Sequence, residues 1–554
     1  MIGLDGAPFS LVKEWSEAGL LPNLAKLIES GCFGILNSTM PVHSPTAWSS
    51  FLTGMNPGKH GVFDFVRRDS DSYKLRVIRA NQIPHPSLWR IMSHQQRQVG
   101  VMNVPMTYPP EPVNGFLVTG LGTPDYANYT YPPELSEELN ETGYRVNKKF
   151  FYDPERVDEW LQDMHEVTDI HGKTAVTLMK KTPWDFFMVV FRNTDEICHF
   201  FWRYIDESHP RYQPDAPDKY KHAILNLYQL ADKWVGKIIE VAGSETNVVI
   251  MSDHGAGPLY KDVFLNEWLW KHNWLSFIDE SSSRRNFNAT VRRFGITREN
   301  ISDALTRMHL HRVEVLIKHV LGDKIMVLPR DERPEFFNAV DWSKTQAYSF
   351  GYYGQIFINL KGREPEGIID FDSAYTSLRD EIIEKLYELV DPSDGQLVVD
   401  KVYTKEDLYQ GDYLSYAPDL LVVMRDHAYI TRKGYEFASK RGEIFREPYT
   451  DETGSHRPEG ILIAAGPDIS AHKSVVEKQI EDLAPTLLHL THCEIPETMD
   501  GELITEMFDP QFLNKYHPKY TREHIPPRDD TNDSWDEAEE EEIANRLKKL
   551  GYLS

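Results

Sequence analysis

Residues 247–257 read NVVIMSDHGAG. The first half is a run of branched and long apolar residues. The second half is a serine, an acid, a histidine and two glycines around one alanine. A short apolar run closed by turn formers is the pattern of a strand buried on both faces. Ligands of open α/β sheets bind in the crevice outside the carboxyl ends of the strands. Polar residues just after such a run therefore sit where chemistry is expected. Asp253 and His254 are neighbours, so their side chains diverge. They serve two directions, or bind one ion where the backbone bends; the competing reading is an Asx-type turn.

The same punctuation recurs along the chain. Apolar runs at 99–105, 115–121, 185–191, 419–424 and 460–465 read as further buried strands. Apolar residues at three- and four-residue spacing at 11–30, 85–98, 223–240 and 481–490 read as helices. Their alternation predicts an α/β fold, a mostly parallel central sheet covered by helices. Asp5 follows Ile2-Gly3-Leu4 and precedes Gly6; alone it also reads as a helix cap or a turn residue. A first strand usually runs to about five or six residues, which points to a natural start upstream of Met1. Residues 41–61, PVHSPTAWSSFLTGMNPGKHG, place Ser44 before Pro45. That is a good helix start, with a hydroxyl in the positive end of the helix dipole. Thr46 is a second candidate hydroxyl, and a plain helix cap is the alternative use of Ser44. Residues 193–199, NTDEICH, put Asp195 and His199 four apart, on one face of a helix and within reach of one cation. An oxygen–nitrogen pair suits zinc and, less exclusively, manganese or iron. Downstream, GSHRPEG at 454–460 places His456 just before a strand.

Composition narrows the classes. The chain has 554 residues, 41% hydrophobic and 26% charged, which excludes disorder of the whole and allows one large α/β domain with insertions. A formal net charge of −25 argues against binding a nucleic-acid polymer. An acidic protein acting on phosphate esters needs a local cation, which points to bound metal. No apolar run approaches the ~20 residues of a membrane span. The opening MIGLDGAPFS lacks a signal-peptide pattern, and three cysteines, Cys32, Cys198 and Cys493, suit a reducing compartment, so a cytoplasmic protein is expected. Residues 1–258 and 416–510 are expected to build the catalytic domain together, with 260–415 as an inserted cap. Within the cap, 259–341 reads as largely helical, with a polar stretch at 280–285, and 345–367 and 395–402 as short strands. Residues 511–554 form an acidic tail: 529–542 hold nine acids, and 541–553 can make a short amphipathic helix that docks back.

Each motif is weak alone, but IGLDGA, SPTAWSSFLTGMNPGKHGVFDF, TDEICH, MSDHGAG and GSHRPEG follow one another in a fixed order. FINLKGREPEGI, APDLLVV and LKKLGYL extend the match over most of the chain. This set resembles the alkaline phosphatase superfamily, in its branch of type I phosphodiesterases and nucleotide pyrophosphatases. The resemblance implies an α/β/α sandwich with an inserted cap, and a two-metal hydrolase of small phosphate esters. The family's nucleophile lies nine residues before the Thr of a Thr-Gly pair; Thr53-Gly54 then selects Ser44 over Thr46. One divalent ion is implied at Asp5, Asp253, His254 and Ser44, and a second at Asp195, His199 and His456. Two such ions clamp the attacking and leaving oxygens of an in-line displacement and lower the pKa of the Ser44 hydroxyl. The implied intermediate is a phosphoserine, which water then hydrolyses.

Two departures from the family pattern matter. Its nucleotide pyrophosphatases bind a phosphoryl oxygen with an asparagine four residues after the Gly of a His-Gly pair; here that residue is Phe65. Loss of a hydrogen bond to a charged group, roughly 1.5–3 kcal/mol, slows the reaction about ten- to a hundred-fold unless another donor replaces it. Asn193, Lys59 and Arg67 are the candidate substitutes. The extra cation that the monoesterases use is not identifiable either. A phosphomonoesterase, or a phosphomutase related to cofactor-independent phosphoglycerate mutase, is therefore the alternative enzyme. A phospholigand- or partner-binding protein is the non-enzymatic alternative, against which the complete ligand set argues. Sulfatases need an Arg four residues after the modified residue, and Trp48 holds that place. Tyr352 and Tyr353 read as cap core or as a stacking wall for a base.

Overall fold

The computed structural model describes residues 1–69, 72–125, 127–278, 335–433, 436–438, 441–526, 528 and 537–549. The strand Phe186–Phe191, FFMVVF, shows how the layers arise. All six residues are buried. Phe186, Met188 and Val190 enter one hydrophobic core, and Phe187, Val189 and Phe191 enter another on the opposite face. Period-two alternation within an unbroken apolar run thus makes a sheet that must be covered twice. Helices Ser44–Thr53, Leu88–His94 and Leu483–Leu490 cover the first face. Helices Phe9–Glu17, Pro22–Ser30, Val157–Lys181 and Ala223–Ala242 cover the second.

The central sheet has nine strands. Their order is Lys473–Gln479, Cys32–Asn37, Glu459–Ala465, Val248–Met251, Ile2–Leu4, Phe186–Phe191, Val99–Val104, Gly115–Thr119 and Thr130–Tyr131. Only Glu459–Ala465 and Thr130–Tyr131 run against the rest. Leu4 pairs with Phe191, Gly3 with Met251, and Met251 with Leu462. Three parallel strands therefore end at one level, beside the entry of the antiparallel one. Asp5, the helix Asn193–Phe201, the turn at 252–254 and the segment Gly454–Arg457 emerge together at this edge.

Three local expectations change. The helix expected at 11–30 is two, because Gly19 takes a φ of 72° and Pro22 starts the second. The helix expected at 85–98 is only Leu88–His94, capped where Ser87 Oγ accepts from the Arg90 N–H. The run at 419–424 is a strand, Leu420–Met424, but it pairs with Gln355–Ile358 and Val399–Thr404 in a separate four-stranded sheet. Periodicity identifies a buried strand without identifying its neighbours. The chain therefore rejoins the central sheet at Glu459, not at the expected 416. The small sheet has its own core with helix Ser373–Leu386.

Of the helical stretch expected at 259–341, the described part holds Leu265–Lys271 and Glu335–Ala339; most of the rest, 280–285 included, lies outside the described residues. The tail helix Glu537–Lys549 docks on the first face through Ile543 and Leu547, and Arg546 pairs with Asp125. The stretch 529–536 lies outside the described residues. All three cysteines are free and buried. Among the described residues, no helix is long and apolar enough to cross a membrane.

Candidate active site

Helix Ser44–Thr53 is buried on every side although half of SPTAWSSFLT is Ser or Thr. Most of its hydroxyls are satisfied internally. Ser49 Oγ donates to the Pro45 carbonyl at 2.6 Å, Thr53 Oγ1 to that of Ser49 at 2.8 Å, and Ser50 Oγ bonds His60 Nε2 at 2.9 Å. Ser44 is different. The cap position falls on His43, no side chain caps the helix, and Ser44 Oγ stands 3.1 Å from His254 Nε2. The hydroxyl is thus turned to the carboxyl edge of the sheet. Thr46 Oγ1 is buried and has no hydrogen-bond partner among the described residues.

Short bonds hold the strand ends in place. Ser252 Oγ accepts from the Ala7 N–H at 2.7 Å, and Thr194 Oγ1 donates to the Asp5 carbonyl at 2.6 Å. Asp253 Oδ1 accepts from the Gly6 N–H at 3.2 Å, and Asp5 Oδ2 from Trp48 Nε1 at 3.2 Å. The remaining carboxylate oxygens and three imidazoles converge. His199 Nε2 lies 3.3 Å from Asp195 Oδ1 and 3.1 Å from His456 Nε2, which is itself 3.6 Å from Asp195 Oδ1. His254 Nε2 lies 3.4 Å from Asp253 Oδ2 and 3.9 Å from Asp5 Oδ1. The rings of His254 and His456 stack at 3.7 Å, so Asp195 and His456 also come within common reach of His254. The seven residues implied as nucleophile and ligands, Asp5, Ser44, Asp195, His199, Asp253, His254 and His456, thus meet in one place.

Three features fit this place to cations. Each imidazole bonds a backbone carbonyl through Nδ1: His254 to Gly255 at 2.9 Å, His199 to Gly454 at 3.1 Å and His456 to Val42 at 2.9 Å. A carbonyl only accepts, so a neutral ring carries its proton on Nδ1 and turns the Nε2 lone pair inward. Asp195 Oδ1 and Asp253 Oδ2 are buried with no hydrogen-bond donor among the described residues. The donor separations of 3.1–3.9 Å bracket the ~3.4 Å between ligands of a tetrahedral ion bound at about 2.1 Å. The electrostatics agree. Burial, and then Asp253 and Asp195, push the Asp5 carboxyl well above its usual range. Burial and Asp195 do the same to Asp253. Burial, with His254 next, holds His456 neutral. Crowded buried carboxylates of this kind need a positive counter-charge.

The metal-free protein should show this in its pH dependence. Burial works against the His199 imidazolium, but Asp195 outweighs it and raises the pKa to about 9. A raised histidine stabilises fully below its unfolded value near 6.5, and that contribution fades as pH climbs to about 9. The stability of the metal-free wild type relative to His199→Asn should therefore fall between those values, read from denaturation midpoints of both proteins. A constant difference would contradict the pairing. A second test is steric. A Cβ on Gly6, whose φ is +64°, would lie 2.6 Å from Asp195 Cβ and Oδ1. Gly6→Ala should cost about 1–3 kcal/mol of stability and displace Asp195, lowering the equivalents of zinc bound at equilibrium dialysis.

A cavity opens on the cluster. It is lined by His43, Arg192, Asp195, Glu196, His199 and Phe200 on the sheet side, and by Tyr352, Tyr353, Ile430, Arg432, Glu452 and Ser455 opposite. Tyr353 stacks on His456 at 5.4 Å between ring centres, so the two tyrosines wall the site rather than fill a remote core. The three substitutes for the missing amide are engaged elsewhere. Asn193 Nδ2 donates to Met164 and Thr168, Lys59 pairs with Asp500, and Arg67 lies over the Tyr416 ring. Phe65 is buried, edge-on to His43 at 5.3 Å. Arg192, Arg432 and Glu452 were not legible as site residues. Arg192 precedes the TDEICH motif without belonging to it, and 430–452 has no periodicity to read.

A doubly covered α/β sheet with an acid–imidazole cluster and a serine hydroxyl at its carboxyl edge agrees with the hydrolase class that the motifs resemble. The chain belongs to the type I phosphodiesterase/nucleotide pyrophosphatase family, whose model matches residues 1–445. Its coarse class is a phosphodiester hydrolase. No curated protein sequence matches the chain. Similar solved structures include human ectonucleotide pyrophosphatase/phosphodiesterase 5 and the murine protein, the latter an inactive variant in complex with AMP. Each superposes with a TM-score of 0.47 at 12% identity, covering 92% of this chain and 98% of the other.

Proposed function

We propose that the protein is a two-metal phosphodiesterase whose nucleophile is Ser44. The observation that carries this reading is the convergence of Ser44 Oγ with Asp5, Asp253 and His254, and of Asp195, His199 and His456 beside them, with His254 within reach of both sets. These side chains would hold two divalent ions, zinc first, with manganese or iron admitted by the same donors. When bound, such ions supply Lewis-acid polarisation of the phosphoryl oxygens and lower the pKa of the serine. The remaining work falls to the chain. Ser44, fixed by a helix with no exposed face, presents Oγ to phosphorus in line with the departing oxygen. Its O–P bond forms as the ester bond breaks, and water later cleaves the phosphoserine. The carbonyl bonds to Nδ1 keep the three rings from rotating between these steps. Walls of Tyr352, Tyr353 and Phe200 restrict water around the reacting group.

The test is a substrate panel on zinc- and manganese-loaded protein. An activated diester such as bis(p-nitrophenyl) phosphate should be hydrolysed, with common nucleotides slower because Phe65 offers no donor. A preference for p-nitrophenyl phosphate above a hundred-fold would replace this reading with a monoesterase or mutase.

A further inference from the structure

The charges of the cavity do not balance. Glu196 is taken by the buried ammonium of Lys148. Glu452 is taken by Arg432 Nη1, while Arg432 Nε holds Asp262 at 2.6 Å. Asp195 and His199 belong to the reacting cluster. Arg192 has no such balance. Half-buried and lining the same cavity, its side chain makes no hydrogen bond and no ion pair among the described residues. Arg432, in the same cavity lining, is only 4% exposed, and its Nη2 has no hydrogen-bond partner among the described residues.

Among the described residues, no acid pairs with the Arg192 guanidinium. Its neighbourhood is already cationic: burial first, and then Arg192, depress the Lys148 ammonium to about 8 against the opposing effect of Glu196, and lower the Arg546 guanidinium against that of Asp125. The Arg192 guanidinium is repelled by those two cations, each of which has an acid of its own, Glu196 for Lys148 and Asp125 for Arg546. A structural role would pair it. A role in binding an anion would leave it as it is, because guanidinium groups are matched to phosphate and carboxylate.

We propose that Arg192, with Arg432 lining the same cavity, forms a second anion subsite beside the reacting cluster, so that the preferred substrate is a phosphodiester or pyrophosphate carrying another phosphate or carboxylate. This rests on the phosphodiesterase reading above and names its substrate class. The reacting phosphoryl group meets the acid–imidazole cluster, and the second anion meets the arginines. The subsite also supplies binding energy on the substrate that the Phe65 position does not.

A matched set of p-nitrophenyl phosphodiesters tests it, with the second ester group propyl, 3-carboxypropyl or 3-phosphopropyl, at low and moderate salt. All release nitrophenolate, so only the remote charge varies. The metal-loaded wild type should favour at least one charged ester over the propyl ester by ten-fold or more in kcat/KM, chiefly through KM, and which one separates phosphate from carboxylate. Added salt should shrink the ratio. Arg192→Gln should bring the ratio to within about three-fold of one without lowering the thermal midpoint, since it removes an unpaired cation. Arg432→Lys, which retains charge for Asp262, should reduce the ratio partly; an unchanged ratio would overturn the place of Arg432. Hydrolysis of the propyl ester with no preference for charge would overturn the subsite and leave the phosphodiesterase reading intact. No hydrolysis of any ester would overturn that reading itself. A full preference surviving in Arg192→Gln, or a lowered midpoint with an unchanged ratio, would show that Arg192 is structural.

Discussion

Ser44→Ala should abolish phosphodiesterase activity, lowering kcat by about four orders of magnitude or more, while the protein stays folded. Ser44 contributes one hydroxyl in a fully packed helix, bonded only to His254 Nε2. Its removal costs about 1 kcal/mol of stability, little for a chain of this size. The chemical loss is far larger because the covalent route, which splits one displacement into two, disappears. Thr46→Ala is the control. That hydroxyl lies two residues on in the same helix and contacts no acceptor among the described residues. The alanine variant there should keep activity within about ten-fold. Steady-state rates on an activated diester, with circular dichroism on both variants, decide it. An active Ser44→Ala beside an inactive Thr46→Ala would exchange the two roles.

The second large effect has opposite signs in stability and in activity. Asp253 is fully buried, and its Oδ2 has no hydrogen-bond donor among the described residues. Burial and Asp195 raise its pKa. A carboxyl whose pKa is raised by folding destabilises the folded state as pH rises above its unfolded value near 3.8. In the metal-free protein at pH 7, Asp253→Asn should therefore be more stable than the wild type by about 1–3 kcal/mol. The amide oxygen can still accept from the Gly6 N–H, so the local fold survives. Zinc should reverse the order, because the wild type gains binding energy that the variant lacks. Activity should fall by about three orders of magnitude, since a bound ion is worth several kcal/mol in the transition state. Differential scanning with and without zinc checks both halves. A metal-free variant less stable than the wild type would mean that Asp253 is held by something other than crowded charge.

Much of the site was legible because it consists of strand ends. Each apolar run stops at a residue too polar to bury without a purpose, as Leu4 does at Asp5 and Met251 at Asp253 and His254. These signals are local and need no knowledge of which strands are neighbours. What depends on neighbours was not legible. The run at 419–424 reads as a strand in either sheet, and only pairing with Gln355–Ile358 removes it from the central one. The bond from Trp48 to Asp5 joins residues 43 apart in sequence. Adjacency alone could not say whether Asp253 and His254 share an ion or diverge. The stacking of His254 on His456 shows that His254 faces both groups at once. Arg432 reaches the cavity from a strand of two residues, Tyr429–Ile430, too short to carry any pattern.

The most direct measurement is anomalous diffraction from crystals grown with zinc, with data on both sides of the zinc edge. Two peaks are predicted per chain, one ligated by Asp5, Asp253 and His254 beside Ser44, and one by Asp195, His199 and His456. A single peak, or ions bound by other side chains, would contradict the two-metal account.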